Sequence, residues 1–236
     1  MKLLCLIFIL SSCMSGCDRA GTSAPASSKH RKIASLVPAA TDMLLGMGTG
    51  DHLVAVSNYD TAPAVKHLPR VGDYQTTDWE TLARVRPDAM IIQLAPDRVP
   101  EGMKQRAKEL GIELVNVKIY RLEDIFNTMQ QLGGVAGETD KGRDATRKLR
   151  ESLDDVKERC AKRPPIRTLV FRNATMQDVV GPGNFLDDML KTLNVINVAA
   201  PLGNPWPSID REKIVELAPD VVVMLLPGAG FSACCV

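Results

Sequence analysis

The sequence predicts a two-lobed α/β protein, and three observations carry that expectation. First, one stretch occurs twice: residues 78–92 read DWETLARVRPDAMII and residues 210–224 read DREKIVELAPDVVVM. At a constant offset of 132, Asp78 matches Asp210, Glu80 matches Glu212, Pro87 matches Pro219 and Asp88 matches Asp220. Second, each copy joins a short helix to a buried strand: an Asp able to cap, about two helical turns, a proline that forbids continuation, then a β-branched run. Third, a long segment of dense mixed charge separates the copies. A repeat this widely spaced exceeds the roughly 20–50 residues of a solenoid unit and suits two related lobes.

Composition agrees. The 236 residues are 45% hydrophobic, ordinary for a globular chain with a sizeable core. Net charge is +1, and Lys2 is the only charged residue among the first 17; without it 28 basic residues balance 28 acidic ones. A neutral body lacks the basic footprint of a nucleic-acid binder. Aromatic residues make up only 4%, so each one in an unusual place needs a reason.

The chain begins with Met1-Lys2 and the apolar run LLCLIFIL, too short to span a bilayer and patterned as a secretory signal peptide. LSSC ending at Cys13 and MSGC ending at Cys17 both resemble the bacterial lipobox, in which the cysteine is acylated. Cys17 is preferred, with Cys13 the alternative, because it leaves a fuller apolar region and is followed at once by the polar DRAGTSAPASSKHRK. Residues 1–17 are thus expected to be a lipoprotein signal peptide and 18–32 a flexible tether rich in Ser, Ala and Gly.

The first lobe is expected over 33–135. The strand at Lys32–Val37 leads into Pro38-Ala39-Ala40-Thr41-Asp42 and an apolar helix, with Thr41 as its N-cap. Free backbone N–H groups at such a strand–helix junction attract ligands, which makes Pro38, Ala39 and Thr41 candidate contacts. Gly46, Gly48 and Gly50 follow the helix rather than precede it, so they are no dinucleotide fingerprint. A strand then runs into a loop carrying Tyr59, and Tyr74 lies just before the first repeated helix. The strand at 89–94, a helix at about 101–110, a strand at 112–117 and an amphipathic helix from Leu122 to Val135 complete the lobe.

Residues 136–163 should form one interlobe helix, with acid–base pairs at helical spacing and a thin apolar stripe of Leu149, Leu153 and Val156. Pro164-Pro165 stops it. The second lobe, 164–236, has a strand at 166–171, the turn Gly181-Pro182-Gly183, a helix from Asn184 or Phe185, and Trp206 between Pro205 and Pro207. By the repeat's alignment it is short of one helix and one strand, so it is expected to be incomplete. Trp206 stands in a rigid extended stretch that belongs to neither a helix nor a central strand. An indole there offers a broad platform for a flat ligand. Trp79, inside the first repeated helix, reads as packing.

IASLVPAATDMLLGMGTGDHLVAVSNYDTAP, LPRVGDY, WETLARVRPDAMII and PWPSIDREKIVELAPDVVVM together resemble the cobalamin and ferric-siderophore periplasmic-binding proteins of ABC importers, over about residues 33–227. PWP-x-x-x-RE resembles the cobalamin branch in particular. The resemblance implies two Rossmann-like lobes joined by a single long helix, the class III solute-binding fold. It also implies a carried ligand in the cleft (cobalamin, a ferric siderophore or haem), passed without chemistry to a membrane permease and its ATPase. Tyr59, Tyr74 and Trp206 look like the family's cleft aromatics. Glu80 and Glu212 look like the acidic pair that docks into arginine pockets on the permease, although helix-dipole stabilisation alone accounts for their placement.

Enzymatic readings have less behind them. The histidines His30, His52 and His67 show no companion at metal or triad spacing, and no GxSxG, Walker loop or HExxH occurs. No metal and no cofactor is expected. Cys160, Cys234 and Cys235 form no metal spacing, and their pairing cannot be read. The competing reading from another class is a two-lobed glycosyltransferase-like enzyme. A Cys17→Ser chain is expected to leave the membrane fraction and to stop incorporating labelled palmitate. If Cys13→Ser does this instead, the acylated residue is Cys13; no palmitate in the unaltered chain rejects the anchor.

Overall fold

Two four-stranded sheets carry the chain. The computed structural model describes residues 30–73, 75–173 and 177–225, together with the backbone of 232–235. Cys13, Cys17, Tyr74 and most of the expected tether lie outside the described residues.

The first sheet is wholly parallel, in the order β2-β1-β3-β4, from β1 (Ile33–Ser35), β2 (Leu53–Ala55), β3 (Ala89–Ile92) and β4 (Glu113–Asn116). Successive side chains alternate between its faces, as a pleated strand requires. Ile33, Ile91 and Val115 pack against Leu44 of α1 (Pro38–Gly46) and against Met129 and Leu132 of α4 (Leu122–Ala136). On the other face Ala34, Met90 and Ile92 meet Leu82 of α2 (Trp79–Val85) and Ala107 of α3 (Glu101–Glu109). A parallel sheet needs such cover on both sides, which explains the unbroken apolar run of β3. Trp79 packs against this second face, as expected, and the Arg106 guanidinium lies 5.9 Å from its ring centre.

The second sheet has the order β6-β5-β7-β8, from β5 (Arg167–Phe171), β6 (Ile196–Asn197), β7 (Val221–Met224) and β8 (Ser232–Cys235). β5, β6 and β7 are parallel, but β8 is antiparallel to β7 and takes the edge that β4 holds in the first sheet. The helix and parallel strand that symmetry leads one to expect after β7 are absent among the described residues. Its helices are α6 (Phe185–Thr192) and α7 (Arg211–Leu217).

The repeat is visible atom by atom. Asp78 caps α2 by accepting the Thr81 N–H at 3.0 Å, and Asp210 caps α7 by accepting the Lys213 N–H at 2.8 Å. Both helices end at a residue in the left-handed region, Arg86 (φ 49°) and Ala218 (φ 41°), directly before the matched prolines. The αL residue ends the helix, and the proline prevents its resumption. Asp88 and Asp220 then act alike, their carboxylates accepting the N–H of Lys32 at 2.9 Å and of Arg167 at 3.1 Å.

The chain passes from the first sheet to the second through α4 and α5 (Thr139–Ala161). The long helix starts three residues later than the expected 136, because Gly137 adopts φ 77° and breaks the run after α4. α5 spans 23 residues, about 34 Å at the helical rise. Only Gly142 and Thr146 are fully buried on it, while Ala145 and Leu149 lean on the first lobe's core. The two helices run antiparallel and meet at two glycines. A β-carbon on Gly133 would sit 2.8 Å from the Gly142 Cα.

Gly133→Ala is therefore expected to destabilise the protein by about 1–3 kcal/mol, the cost of overpacking a closed interface. A β-carbon on its neighbour Gly134 would meet no atom within 4 Å. Gly134→Ala should be neutral or stabilising by up to about 1 kcal/mol. Urea denaturation of the two variants checks this; equal stabilities reject the close helix approach.

Candidate functional site

In open parallel sheets, ligands gather at the carboxyl edge of the strands. In the first lobe that edge holds a cavity of about 320 Å³ lined by Leu36, Val37, Pro38, Ile92, Leu94, Met103, Gln93 and Asp73. Pro38 is the first residue of α1, and Ala39 is exposed beside it. Thr41 is different from expectation. Val37 occupies the N-cap position, since Pro38 starts the helix with its fixed φ and missing N–H. Thr41 is fully buried, with its Oγ1 3.0 Å from Ser35 Oγ and 3.3 Å from Asp60 Oδ2. It holds the loop that carries Tyr59 rather than facing solvent.

That loop is built on two aspartates. Asp60 is buried and accepts the Ser57 N–H at 2.8 Å. Burial pushes its carboxyl above the usual range, against the hydrogen bonds from Ser57 and Thr41. Tyr59, next to it, is 59% exposed, and its N–H donates to Ser57 Oγ at 3.3 Å. Asp73, at the lip of the cavity, accepts the N–H groups of Gln75 (2.8 Å) and Thr76 (3.0 Å), which hold its pKa below the usual range. Gly72 permits this turn: its φ is 105°, and a β-carbon there would lie 2.0 Å from the Thr76 carbonyl oxygen.

In the second lobe Trp206 is half-buried on a pinned loop. The Pro205 carbonyl accepts from Gly181 N–H at 3.0 Å and from Asn184 Nδ2 at 2.9 Å. Gly181 is obligatory here, because a β-carbon would come within 1.9 Å of the Asn204 carbonyl. Asn184 also caps α6 by accepting the Asp187 N–H at 3.0 Å. The Arg172 guanidinium lies 4.3 Å from the centre of the Trp206 ring, a cation–π contact that leaves its charge exposed. Glu80 and Glu212 are exposed in the first turns of α2 and α7.

The lobes are joined by a further contact. Arg121, at the head of α4, grips Asp188 of α6 through Nε at 2.7 Å and Nη2 at 2.6 Å, and the Leu122 N–H adds a bond at 3.1 Å. Arg121 is the chief reason the Asp188 carboxyl lies below its usual range. Next to it Asp187 is almost wholly buried; burial pushes its pKa up, but Lys191, Asn197 and the Gly183 N–H outweigh this and bring it down.

Sequence reasoning reached Pro38, Tyr59 and Trp206 but passed over Asp60, Asp73 and Arg172. The first two carry a local signal, Ser57-x-x-Asp60 and Asp73-x-x-Thr76, spacings at which side chains close turns. Arg172 carries none, since its partner lies 34 residues away. The histidines also need correcting. His30, Asp51 and His52 do come together, each with one donor atom within 4.8 Å of the others.

Residues 33–230 match the model of a family described as periplasmic binding protein. The chain belongs to the periplasmic binding protein family. The vitamin B12-binding protein of Vibrio cholerae is 27% identical over 192 residues, covering 81% of this chain and 69% of the relative. An uncharacterised ABC transporter substrate-binding lipoprotein of Bacillus subtilis is 24% identical, covering 82% and 63%. The crystal structure of the periplasmic vitamin B12 binding protein BtuF of Vibrio cholerae superposes with a TM-score of 0.68 at 26% identity, over 82% of this chain and 76% of that one. The heme-binding HutB of the same species, at a TM-score of 0.71 and 19% identity, covers 83% and 76% and shares the fold. Two Rossmann-like lobes joined by a long helix are thus the architecture of class III solute-binding proteins, in this chain as in these structures.

The depressed pKa values of Asp187 and Asp188 set an acid limit. A carboxylate whose folded pKa lies below its unfolded value of about 3.9 stabilises fully above that value and loses its contribution as pH falls through the folded one. Stability should therefore hold down to about pH 5 and fall below about pH 4. Asp188→Asn should flatten this acid loss in urea titrations; an unchanged profile removes the Arg121 contact from the account.

Proposed function

We propose that this chain is the extracytoplasmic substrate-binding component of an ABC importer, carrying a corrinoid between its lobes and delivering it to a membrane permease and its ATPase. The observation that carries this reading is the half-buried Trp206 platform, stacked under Arg172 and pinned by Gly181 and Asn184. A flat macrocycle with polar substituents needs a broad apolar surface beside a few polar groups. The indole supplies the first, and Arg172 faces the anionic or amide periphery. The apolar cavity behind Pro38, with Asp73 at its lip, is the surface that the first lobe contributes in this reading, and Tyr59 is exposed on the neighbouring loop, where Asn58 approaches Asp73. Ala39, exposed beside Pro38, is a further contact in this reading, and Thr41 serves it indirectly through Asp60; Tyr74, the remaining candidate, lies outside the described residues. Relatives named for vitamin B12 at 26–27% identity favour a corrinoid over a ferric siderophore or haem.

Glu80 and Glu212 hold equivalent positions in the first turns of α2 and α7, with exposed carboxylates that form no salt bridge among the described residues. In the proposed complex they dock the permease. Acylation of Cys17, or of Cys13, anchors the chain to the membrane, and among the described residues no helix is long and apolar enough to cross one. The transferase reading gains no support, since the relatives named above are solute-binding proteins.

Cyanocobalamin, haemin and a ferric hydroxamate, each incubated with the protein and passed through gel filtration, separate the ligand classes by absorbance. Binding should quench tryptophan fluorescence. Trp206→Ala should weaken affinity by about 2 kcal/mol, the scale of a buried aromatic anchor, with little change in melting temperature. Glu80→Ala and Glu212→Ala should keep affinity and lose transport. A Trp206→Ala protein that binds all three ligands normally but melts far lower makes Trp206 ordinary core and sinks the platform.

A further inference from the structure

We propose that His30, Asp51 and His52 bind one divalent transition-metal ion of the zinc class, on the side of the first lobe away from the ligand-binding edge. β1 and β2 run parallel with Ile33 paired to Leu53, so residues just before each strand emerge side by side at the amino edge of the sheet. A turn of 3₁₀ helix over Gly50–His52 then presents Asp51 and His52 beside His30. The solute cavity lies at the opposite, carboxyl edge. This is a second site, and it does not depend on the proposed solute.

The ring of His52 is prepared as a ligand. It is 3% exposed, and its Nδ1 lies 2.9 Å from the Arg31 carbonyl oxygen. A carbonyl accepts only, so Nδ1 carries the proton and Nε2 keeps its lone pair. An outer hydrogen bond of this kind fixes the tautomer and orientation of metal-ligating histidines. The His30 ring stacks on it at 4.1 Å between centres and 20° between planes, and His30 Nε2 lies 3.2 Å from the Asp51 carbonyl oxygen. The Asp51 carboxylate completes an N₂O set with all donor atoms within 4.8 Å.

Zinc bonds of about 2.0–2.2 Å bring tetrahedral donors to roughly 3.5 Å from one another. His30 and Asp51 must therefore close in by roughly 1 Å, and the His30 ring must turn out of its stack on His52 so that both lone pairs meet at one ion, movements open to two exposed side chains. Imidazole and carboxylate donors suit zinc, nickel and copper, and three protein ligands leave one position for water. Bound metal would tie His30 to the start of β2.

Cobalt(II) is the probe for the full chain, because its visible d–d bands report ligand type, with zinc then added in competition. One equivalent is expected, without thiolate-to-cobalt charge transfer and displaced by zinc. His30→Ala and Asp51→Ala alter exposed side chains and should leave the fold intact. Each should weaken binding by more than the 10- to 100-fold that follows loss of an outer-shell partner. Four results overturn the site: no stoichiometric uptake, thiolate bands that transfer the ion to a cysteine, retention against zinc, or variants that bind as tightly as the unaltered chain.

Discussion

Each lobe takes its form from one carboxylate. Asp88 accepts the Lys32 N–H, and its own N–H donates to the Lys32 carbonyl at 2.8 Å. Asp220 makes the same pair of bonds with Arg167, again with the backbone donation at 2.8 Å. These two-way clamps sit where a helix has just ended in an αL residue and a proline. They hold the register of β3 against β1 and of β7 against β5 at the first residue of each pairing. A slip of one residue would turn each strand's apolar set to the wrong face. Register in turn decides which residues leave the carboxyl edges: Val37 and Gln93 in one lobe, Arg172 in the other.

The connection between the lobes is stiff for steric rather than electrostatic reasons. The ion pairs along α5, such as Arg147–Glu151 and Arg159–Asp155, are exposed and contribute little individually. Gly133 and Gly142 matter more, because they let α4 and α5 meet backbone to backbone, and α4 belongs to the first lobe's core. The first lobe therefore extends into the linking helix without a joint. Arg121 on α4 then reaches Asp188 on α6, a bidentate, partly shielded pair that fixes an angle more than it adds stability. The proposed binding of a solute between the lobes requires a defined spacing between the loops, and this combination provides one.

Asp78, Asp210 and the two Pro-Asp pairs are legible in the sequence because capping and helix termination are local, and because the chain states them twice. The strand at 89–92 is legible because burial on both faces needs an unbroken apolar run. Thr41 misleads: a threonine near a helix start is a cap by type, but Pro38 already marks the first helical position. Asp60 reaches back 19 residues to Thr41, His52 meets His30 across 22, and Arg121 meets Asp188 across 67. No period or spacing rule encodes these contacts. They exist only in the folded chain.

The two lobes are not equally buried, and this bears on how a solute would be held. All four residues of β3 are buried, whereas all four of β7 are only half-buried. The first sheet has helices on both faces and parallel neighbours on both sides of β3; β7 has β5 on one side and the antiparallel β8 on the other. Among the described residues, the apolar cluster around Leu169 and Phe171 is smaller than the first lobe's two. Less burial means a lower free energy of local opening. The polar pins around Trp206 offset part of that weakness, since Asn184, Gly181 and Asp187 hold the loop and α6 to one another by hydrogen bonds rather than by apolar area. In the proposed complex a solute against Trp206 acts on these same elements, and a ligand that binds only the folded form stabilises it by mass action. On that proposal, the lobe with the thinner core is the one whose order gains most from the ligand.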